Sequence, residues 1–269
     1  MPRPSPQTER VIAITRLLAA HPDEGFTITD LARRLRMNKA TFYPMVVALA
    51  EAGWLVRDPW TKTYRLGPEL ISLGEAAARS LPAVPLARPA MVELATELGV
   101  TCAAFTVADG IVTLVDQVWD PRSSGQPLQL GLWARLRAPY GAVFVAWDEE
   151  ALDAWVADDD ARPYRRAIEA TRARGYVVEL RVTPGPPVTG TGSVAAMLDA
   201  DPDFLLDDID KKATYAVATI EAPVFDAPMR VAMSLVLVGL PRTMTGREID
   251  AYGKRLVDAA AVVTSILRP

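Results

Sequence analysis

Between Gly25 and Gly67 a short apolar helix pattern, a turn, a second helix pattern and a Trp/Tyr-rich hairpin pattern follow one another, and few folds accommodate that order. Ile28, Leu31, Ala32 and Leu35 recur at helical spacing, with Thr29 ahead of Asp30 and Leu31 as the expected N-cap. Met37-Asn38 turns the chain, and Lys39 to Tyr43 opens a second helix whose Val46, Val47, Leu49 and Ala50 are apolar. Gly53 is expected to end it, because glycine takes the left-handed C-terminal conformation without a steric penalty. Trp54–Arg57 and Thr63–Leu66 then alternate like strands around the turn residues Asp58-Pro59-Trp60-Thr61-Lys62. Helix, turn, helix and hairpin in this order make a winged helix-turn-helix.

In that motif the second helix meets base edges with its N-terminal residues while the first crosses the backbone. Lys39, Thr41, Phe42 and Tyr43 are therefore expected in the major groove. Thr29, Arg33, Arg34, Arg57, Lys62 and Arg65 are expected at phosphates or, from the wing, in the minor groove. The charge distribution agrees. Residues 1–67 hold ten Lys/Arg against six Asp/Glu, whereas 68–269 hold nineteen against twenty-seven, so the overall charge of −4 hides a basic head on an acidic body.

At 269 residues the chain has room for two domains. No apolar run reaches the roughly 18 residues of a membrane span, and Met-Pro-Arg-Pro-Ser-Pro lacks the apolar core of a signal peptide, which predicts a cytoplasmic protein with no membrane partner. Cys102 is the single cysteine, in an apolar strand-like run, so a buried, inert thiol is expected. Glu69 to Ala78 reads as a helix ending before Pro82, and Leu81-Pro82-Ala83-Val84-Pro85 as the boundary. This divides the chain into a DNA-binding domain at 1–67, a linker helix at 68–85 and a regulatory domain at 86–269.

Beyond the boundary a helix is expected at Arg88–Leu98, capped by Gly99. Strands are expected at Thr101–Val107 and Ile111–Val115 about the Asp109-Gly110 turn, at Leu128–Leu132 and Tyr176–Glu179, and at Tyr215–Val224 and Arg230–Leu237. Helices are expected at Gly141–Ala146, Glu149–Val156, Pro163–Arg174 and Glu248–Leu267. The fold class is thus α+β, with an antiparallel sheet flanked by helices.

Four segments, in this order and spacing, resemble the IclR family of bacterial transcription regulators. They are Thr27–Gly53, with Asp30-Leu31-Ala32 and Lys39-Ala40-Thr41; Tyr64-Arg65-Leu66-Gly67; Arg172-Ala173-Arg174-Gly175-Tyr176; and Ala222-Pro223-Val224-Phe225-Asp226. The resemblance implies an N-terminal winged helix-turn-helix, a linker helix used in dimerisation, and a C-terminal domain similar to GAF and profilin-like folds. It also implies double-stranded DNA as partner, a homodimer or dimer of dimers, and a small organic effector, a carboxylic acid or an aromatic compound. No cofactor or metal is implied. Whether the outcome is repression or activation stays open, as does an alternative regulator without a ligand that acts through dimerisation or a protein partner.

The chain departs from the family's pattern in three places. Pro44 stands where recognition helices commonly carry arginine, so the helix is expected to start late or bend. Thr219-Ile220-Glu221 stands where many members place a cysteine. Thr183–Lys212 reads as an insertion, either a solvated loop or a lid. The effector is expected between the sheet and the helix entry at Tyr140-Gly141-Ala142, whose amides would favour a ligand carboxylate, with Trp133, Thr219, Glu221 and Ser234 completing the pocket.

An enzyme is disfavoured. His21 is the single histidine, placed by the sequence on the surface at a helix end, so no Ser-His-Asp triad or histidine-rich metal site can form. The carboxylate runs Asp158–Asp160 and Asp199–Asp210 read as solvated faces, and Gly190-Thr191-Gly192-Ser193 lacks the Lys-Ser/Thr pair of a phosphate loop.

Overall fold

The computed structural model describes residues 5–157, 161–181 and 204–268, with the backbone alone at Lys39, Ala40 and Thr41. The chain divides into two compact units after Leu81.

In the first unit α1 (Pro6–Ala19), α2 (Ile28–Arg34) and α3 (Lys39–Glu51) surround Ile14, Leu18, Leu31, Phe42 and Val46, all buried. A three-stranded antiparallel sheet of β1 (Phe26–Thr27), β3 (Thr63–Leu66) and β2 (Leu55–Arg57), in that order, closes this core with Phe26, Leu55 and Tyr64. The wing is therefore one strand wider than the hairpin pattern suggested.

The N-cap of α2 is Thr27, not Thr29: the Thr27 hydroxyl accepts from Asp30 N–H at 3.2 Å and donates to the Asp30 carboxylate at 2.7 Å. At its other end Arg36 takes a left-handed conformation (φ 52°), and Met37 N–H donates to Ala32 O, so the turn begins two residues before Asn38. Gly53 (φ 72°) ends α3 in the same way, with Trp54 N–H donating to Leu49 O and Gly53 N–H to Ala50 O.

The expected late start of α3 is not observed. The helix runs through Pro44, and Phe42 N–H already donates to Asn38 O at 3.0 Å. Proline removes one donor on the exposed side, while buried Phe42 and Val46 on either side of it hold the helix against the core. His21 is half-buried rather than a bare surface residue. Its Nδ1 donates to Leu17 O at 2.9 Å and its ring meets Phe26 edge-on at 5.4 Å. The unit ends in α4 (Glu69–Arg79), which has no buried residue and exposes Ile71 and Leu73.

The second unit opens with α5 (Ala83–Leu98), so the expected boundary at 81–85 falls partly inside a helix. Pro85 occupies the first turn, where its missing N–H leaves no intrahelical bond unmade. The sheet comprises β4 (Thr101–Ala108), β5 (Ile111–Val118), β6 (Trp133–Arg135), β7 (Val177–Leu180), β9 (Val217–Ala227) and β10 (Arg230–Val238). Its order is β6-β5-β4-β10-β9-β7, antiparallel throughout. The segment Leu128–Leu132 is not a strand; the edge strand begins at Trp133.

Strand alternation gives the sheet two unlike faces. Cys102, Ala104, Ile220, Ala222, Val224, Met233, Leu235 and Leu237 face α5 and α9 (Gly246–Leu267) in one continuous core. A capping box starts α9: Thr245 Oγ1 accepts from Glu248 N–H, and Thr245 N–H donates to Glu248 Oε2 at 2.7 Å. Against the opposite face lie α6 (Ala142–Val145), α7 (Glu149–Trp155) and α8 (Ala161–Arg174), with Val112, Ala134 and Val177 in their core. A short pair, β8 (Thr214–Tyr215) with β11 (Met244–Thr245), completes the unit.

Candidate nucleic-acid face and effector cavity

In the first unit Tyr43 on α3 is 57% exposed, and Thr29, Arg33, Arg34, Arg57, Lys62 and Arg65 are exposed as well. Phe42 is fully buried, which corrects its assignment to the major groove. Successive helix residues differ by about 100° in direction, so Phe42 and Tyr43 cannot share a face, and the apolar one enters the core. The side chains of Lys39 and Thr41 lie outside the described residues.

Several basic groups are held in place. Arg33 pairs with Asp30 at 2.7 Å, Arg34 lies 4.7 Å from the Phe26 ring centroid, and Arg57 lies 5.9 Å from that of Tyr64. At the wing tip Asp58 accepts from the amides of Trp60 and Thr61, each at 2.8 Å, and these bonds hold its carboxyl below the usual range. Lys62 follows at φ 59° with its ammonium donating to Pro59 O. The same turn leaves Trp60 86% exposed, a feature the sequence reading passed over although a tryptophan in a polar turn signals it.

In the second unit a cavity of about 630 Å³ opens on the sheet face turned away from α5 and α9. That size suits a small organic molecule. Phe105, Val112, Leu132, Phe144, Phe204 and Val236 give it apolar walls. Tyr140, Gly141, Thr219, Glu221 and Ser234 line it, as the sequence suggested. Trp133 and Ala142 are not in the lining: Trp133 opens the far edge strand, and Ala142 is buried at the start of α6. Because α6 has only four residues, its aligned dipoles are too few to create the anion site expected there.

Glu179, Arg181, Arg242 and Phe204 are wall residues the sequence reading missed. For Glu179 the signal was present, a carboxylate inside the apolar strand Val177-Val178-Glu179-Leu180. Phe204 and Leu205 come from the expected insertion. They are buried, Leu206 N–H donates to Val178 O at 3.0 Å, and Phe204 meets the Tyr140 ring edge-on at 5.7 Å. That end is packed structure rather than solvated loop. The remainder of the insertion through residue 203, with Gly190–Ser193 and Asp158–Asp160, lies outside the described residues.

The polar wall has a definite electrostatic character. Thr219 stands opposite Glu179 and, two residues along β9, Glu221 stands on the same face; the Thr219 hydroxyl donates to Glu179 Oε2 at 2.7 Å and approaches Glu221 Oε1 at 3.4 Å. Burial pushes the Glu179 carboxyl up to about 7, and burial together with Glu179 holds Glu221 well above the usual carboxylate range. Tyr140 is driven up to about 12, chiefly by burial and then by Glu179, so its hydroxyl stays protonated. Ser234 Oγ and Tyr140 OH are buried without a partner among the described residues. The sheet's other face carries the inert thiol: Cys102 is fully buried, which raises it to about 12.

No group of three or more His, Cys, Asp or Glu among the described residues could hold a metal, and no helix there is long and apolar enough to cross a membrane. A winged helix-turn-helix unit and a separate α+β unit with a walled cavity together define a transcriptional regulator of the two-unit kind.

Comparison with known proteins identifies which. Residues 7–59 match the IclR helix-turn-helix domain. The glycerol operon regulatory protein of Streptomyces coelicolor is 29% identical over 204 residues, covering 70% of this chain and 76% of that one. Two crystal structures share the fold along the chain. The Thermotoga maritima IclR has a TM-score of 0.68 at 19% identity, over 97% of this chain and 98% of that one. An IclR homologue from Microbacterium hydrocarbonoxydans, complexed with 4-hydroxybenzoate, has a TM-score of 0.66 at 15% identity, over 97% and 99%. The chain thus carries an IclR-type helix-turn-helix domain and is similar to IclR-type transcriptional regulators along most of its length, and these relatives are regulators rather than enzymes.

Proposed function

We propose that this protein is a cytoplasmic regulator that binds operator DNA as a homodimer or dimer of dimers and is switched by a small organic effector. One observation carries the reading: an exposed basic winged-helix face and a built cavity occur in separate units of one chain. Tyr43 and the N-terminal turn of α3 read bases, while Thr29, Arg33, Arg34, Arg57, Lys62 and Arg65 engage the backbone or the minor groove. Exposed Ile71 and Leu73 on α4, with no cover from their own unit, support self-association through that helix.

The effector occupies the cavity, with Tyr140, Gly141, Thr219, Glu221 and Ser234 among its contacts. The phenylalanine walls suit the aromatic class of the two expected, and the Microbacterium homologue of the same fold is complexed with an aromatic molecule, 4-hydroxybenzoate. Buried hydroxyls on Ser234 and Tyr140 without partners weigh against a regulator that has lost its ligand. An effector that prefers one arrangement of the DNA-binding heads shifts the DNA-competent population by its differential affinity.

Fluorescence anisotropy of the purified chain on its own upstream DNA and on a scrambled duplex, across a salt series, tests the reading. Preference for the upstream DNA at 0.15 M salt is expected; equal binding to both duplexes at every salt concentration would overturn the specific-operator assignment.

A further inference from the structure

The cavity's polar wall carries two carboxyls, the hydroxyls of Tyr140, Thr219 and Ser234, and two arginines, Arg181 and Arg242. Glu179 on β7 and Glu221 on β9 lie on one face with the Thr219 hydroxyl between them, 2.7 Å from one carboxylate and 3.4 Å from the other. Neither glutamate is ion-paired among the described residues. Arg181, the nearest basic residue in sequence, gives its guanidinium to the backbone carbonyls of Val217 at 2.8 Å and Leu240 at 2.9 Å. Ser234 and Tyr140 line the same cavity, and their hydroxyls are buried without a partner among the described residues. Two carboxyls this close in a poorly solvated wall cannot both ionise without a counter-charge. Evolutionarily ordinary cavity walls of this size are apolar with a few polar groups that set orientation, and here those groups are arranged to receive hydrogen-bond donors and positive charge.

We propose that the effector is an organic amine, whose ammonium group lies between Glu179 and Glu221 and whose apolar body packs against Phe105, Phe144 and Phe204. This rests on the cavity being the effector site. An ammonium ion supplies the missing charge and three donors, enough for the two carboxylates and one further acceptor of the wall. A ligand carboxylate placed between the two glutamates meets two acidic groups and must keep both protonated to remain.

The charge balance is explicit. In the empty cavity the pair retains a proton near neutrality; an incoming R–NH3+ stabilises the ionised form, and a proton passes to solvent. The other titratable or charged groups on the described wall are Tyr140, Arg181 and Arg242. Tyr140 holds its proton throughout, since burial and Glu179 raise it to about 12.

The test compares 2-phenylethylamine with its isosteres 3-phenylpropanoate and 2-phenylethanol, by thermal shift and by calorimetry at pH 7 in two buffers of different ionisation enthalpy. The amine is expected to bind about tenfold or more tighter than the acid and to release a proton, which appears as a buffer-dependent heat. Glu179→Gln/Glu221→Gln, which mimics the protonated pair, should abolish both the preference and the release. The wild-type proton count needs no variant, so it decides even where the variant folds poorly. Equal or tighter binding of the acid, amine binding without proton release, or an undiminished amine preference in a folded double variant would overturn the proposal. If the acid or alcohol binds while the amine does not, the cavity remains an effector site and the amine assignment falls. If none of the three shifts the melting temperature, both fall, while operator binding, measured without ligand, stands independently.

Discussion

Thr219 on β9 stands directly opposite Glu179 on β7 and donates its hydroxyl to Glu179 Oε2 at 2.7 Å. That bond favours the ionised carboxylate, yet burial outweighs it, and Glu179 is pushed up to about 7 while Glu221, two residues beyond Thr219, also rises. The native state thus retains protons that the unfolded chain releases just above the ordinary glutamate value.

Stability should therefore fall as pH rises. The contribution of the pair is fully present below the unfolded value near 4.5 and is lost as pH climbs through about 7. Between those limits each retained proton gives a slope of about 1.4 kcal/mol per pH unit. Urea denaturation at pH 5, 6 and 7 measures it. Glu179→Gln/Glu221→Gln should flatten the profile over this window, and an unchanged slope in that variant would place the titrating group elsewhere.

Phe42→Ala and Tyr43→Ala should behave oppositely although the residues are adjacent. Phe42 is fully buried between α1, α2 and the wing, so its truncation should destabilise the first unit by about 3–5 kcal/mol. Tyr43, 57% exposed, should change stability by no more than about 0.5 kcal/mol while weakening preference for the operator. Denaturation midpoints and anisotropy on paired duplexes separate the two effects. A Tyr43→Ala variant with unaltered sequence preference would remove this residue from the base-reading set.

The contrast between Phe42 and Tyr43 also marks how far the sequence could be read. The helix-turn-helix, the hairpin and most strands of the larger unit were legible, because their apolar periods and turn residues are local. Assigning individual side chains to a face was less secure where a helix began with mixed residues, as at Lys39–Tyr43. Thr27 displaced Thr29 as N-cap because the helix begins at Ile28, two residues before the start a Thr29 cap would give. In the cavity, Thr219 and Glu221 were found because they stand where many members of the resembled family place a cysteine. Glu179 interrupts an apolar strand, but its relation to Thr219 depends on the pairing of β7 with β9, strands separated by a long insertion. Phe204 reached the wall from a segment whose composition resembled a loop. Long-range register, rather than local propensity, is what joined these residues.

The wing should contribute through charge alone at Lys62. It sits at an exposed turn with its backbone already left-handed, and glutamine preserves the side chain's length without the charge. Lys62→Gln should reduce the slope of log K against log salt by about 0.9 for one phosphate contact, with the ratio of operator to scrambled affinity unchanged. The salt series reads both quantities. A variant with an unchanged slope would mean that Lys62 touches no phosphate.

Gly253 should tolerate no side chain, because α9 carries it against the face of Tyr176. A Cβ built there would lie 2.4–2.6 Å from the ring carbons of Tyr176, a residue only 1% exposed and wedged between α9 and the sheet. The ring cannot withdraw, since its hydroxyl end reaches toward Asp250 at 3.4 Å and Arg174 lies 5.2 Å from its centroid. Gly253→Ala should destabilise the second unit by about 1–3 kcal/mol, despite alanine's higher helix propensity, which alone would favour the substitution by about 1 kcal/mol. Chemical denaturation fixes the sign. Combining Gly253→Ala with Tyr176→Leu should recover part of the loss by removing the ring that clashes, and a double variant no more stable than Gly253→Ala would show that the alanine acts through some other contact of α9.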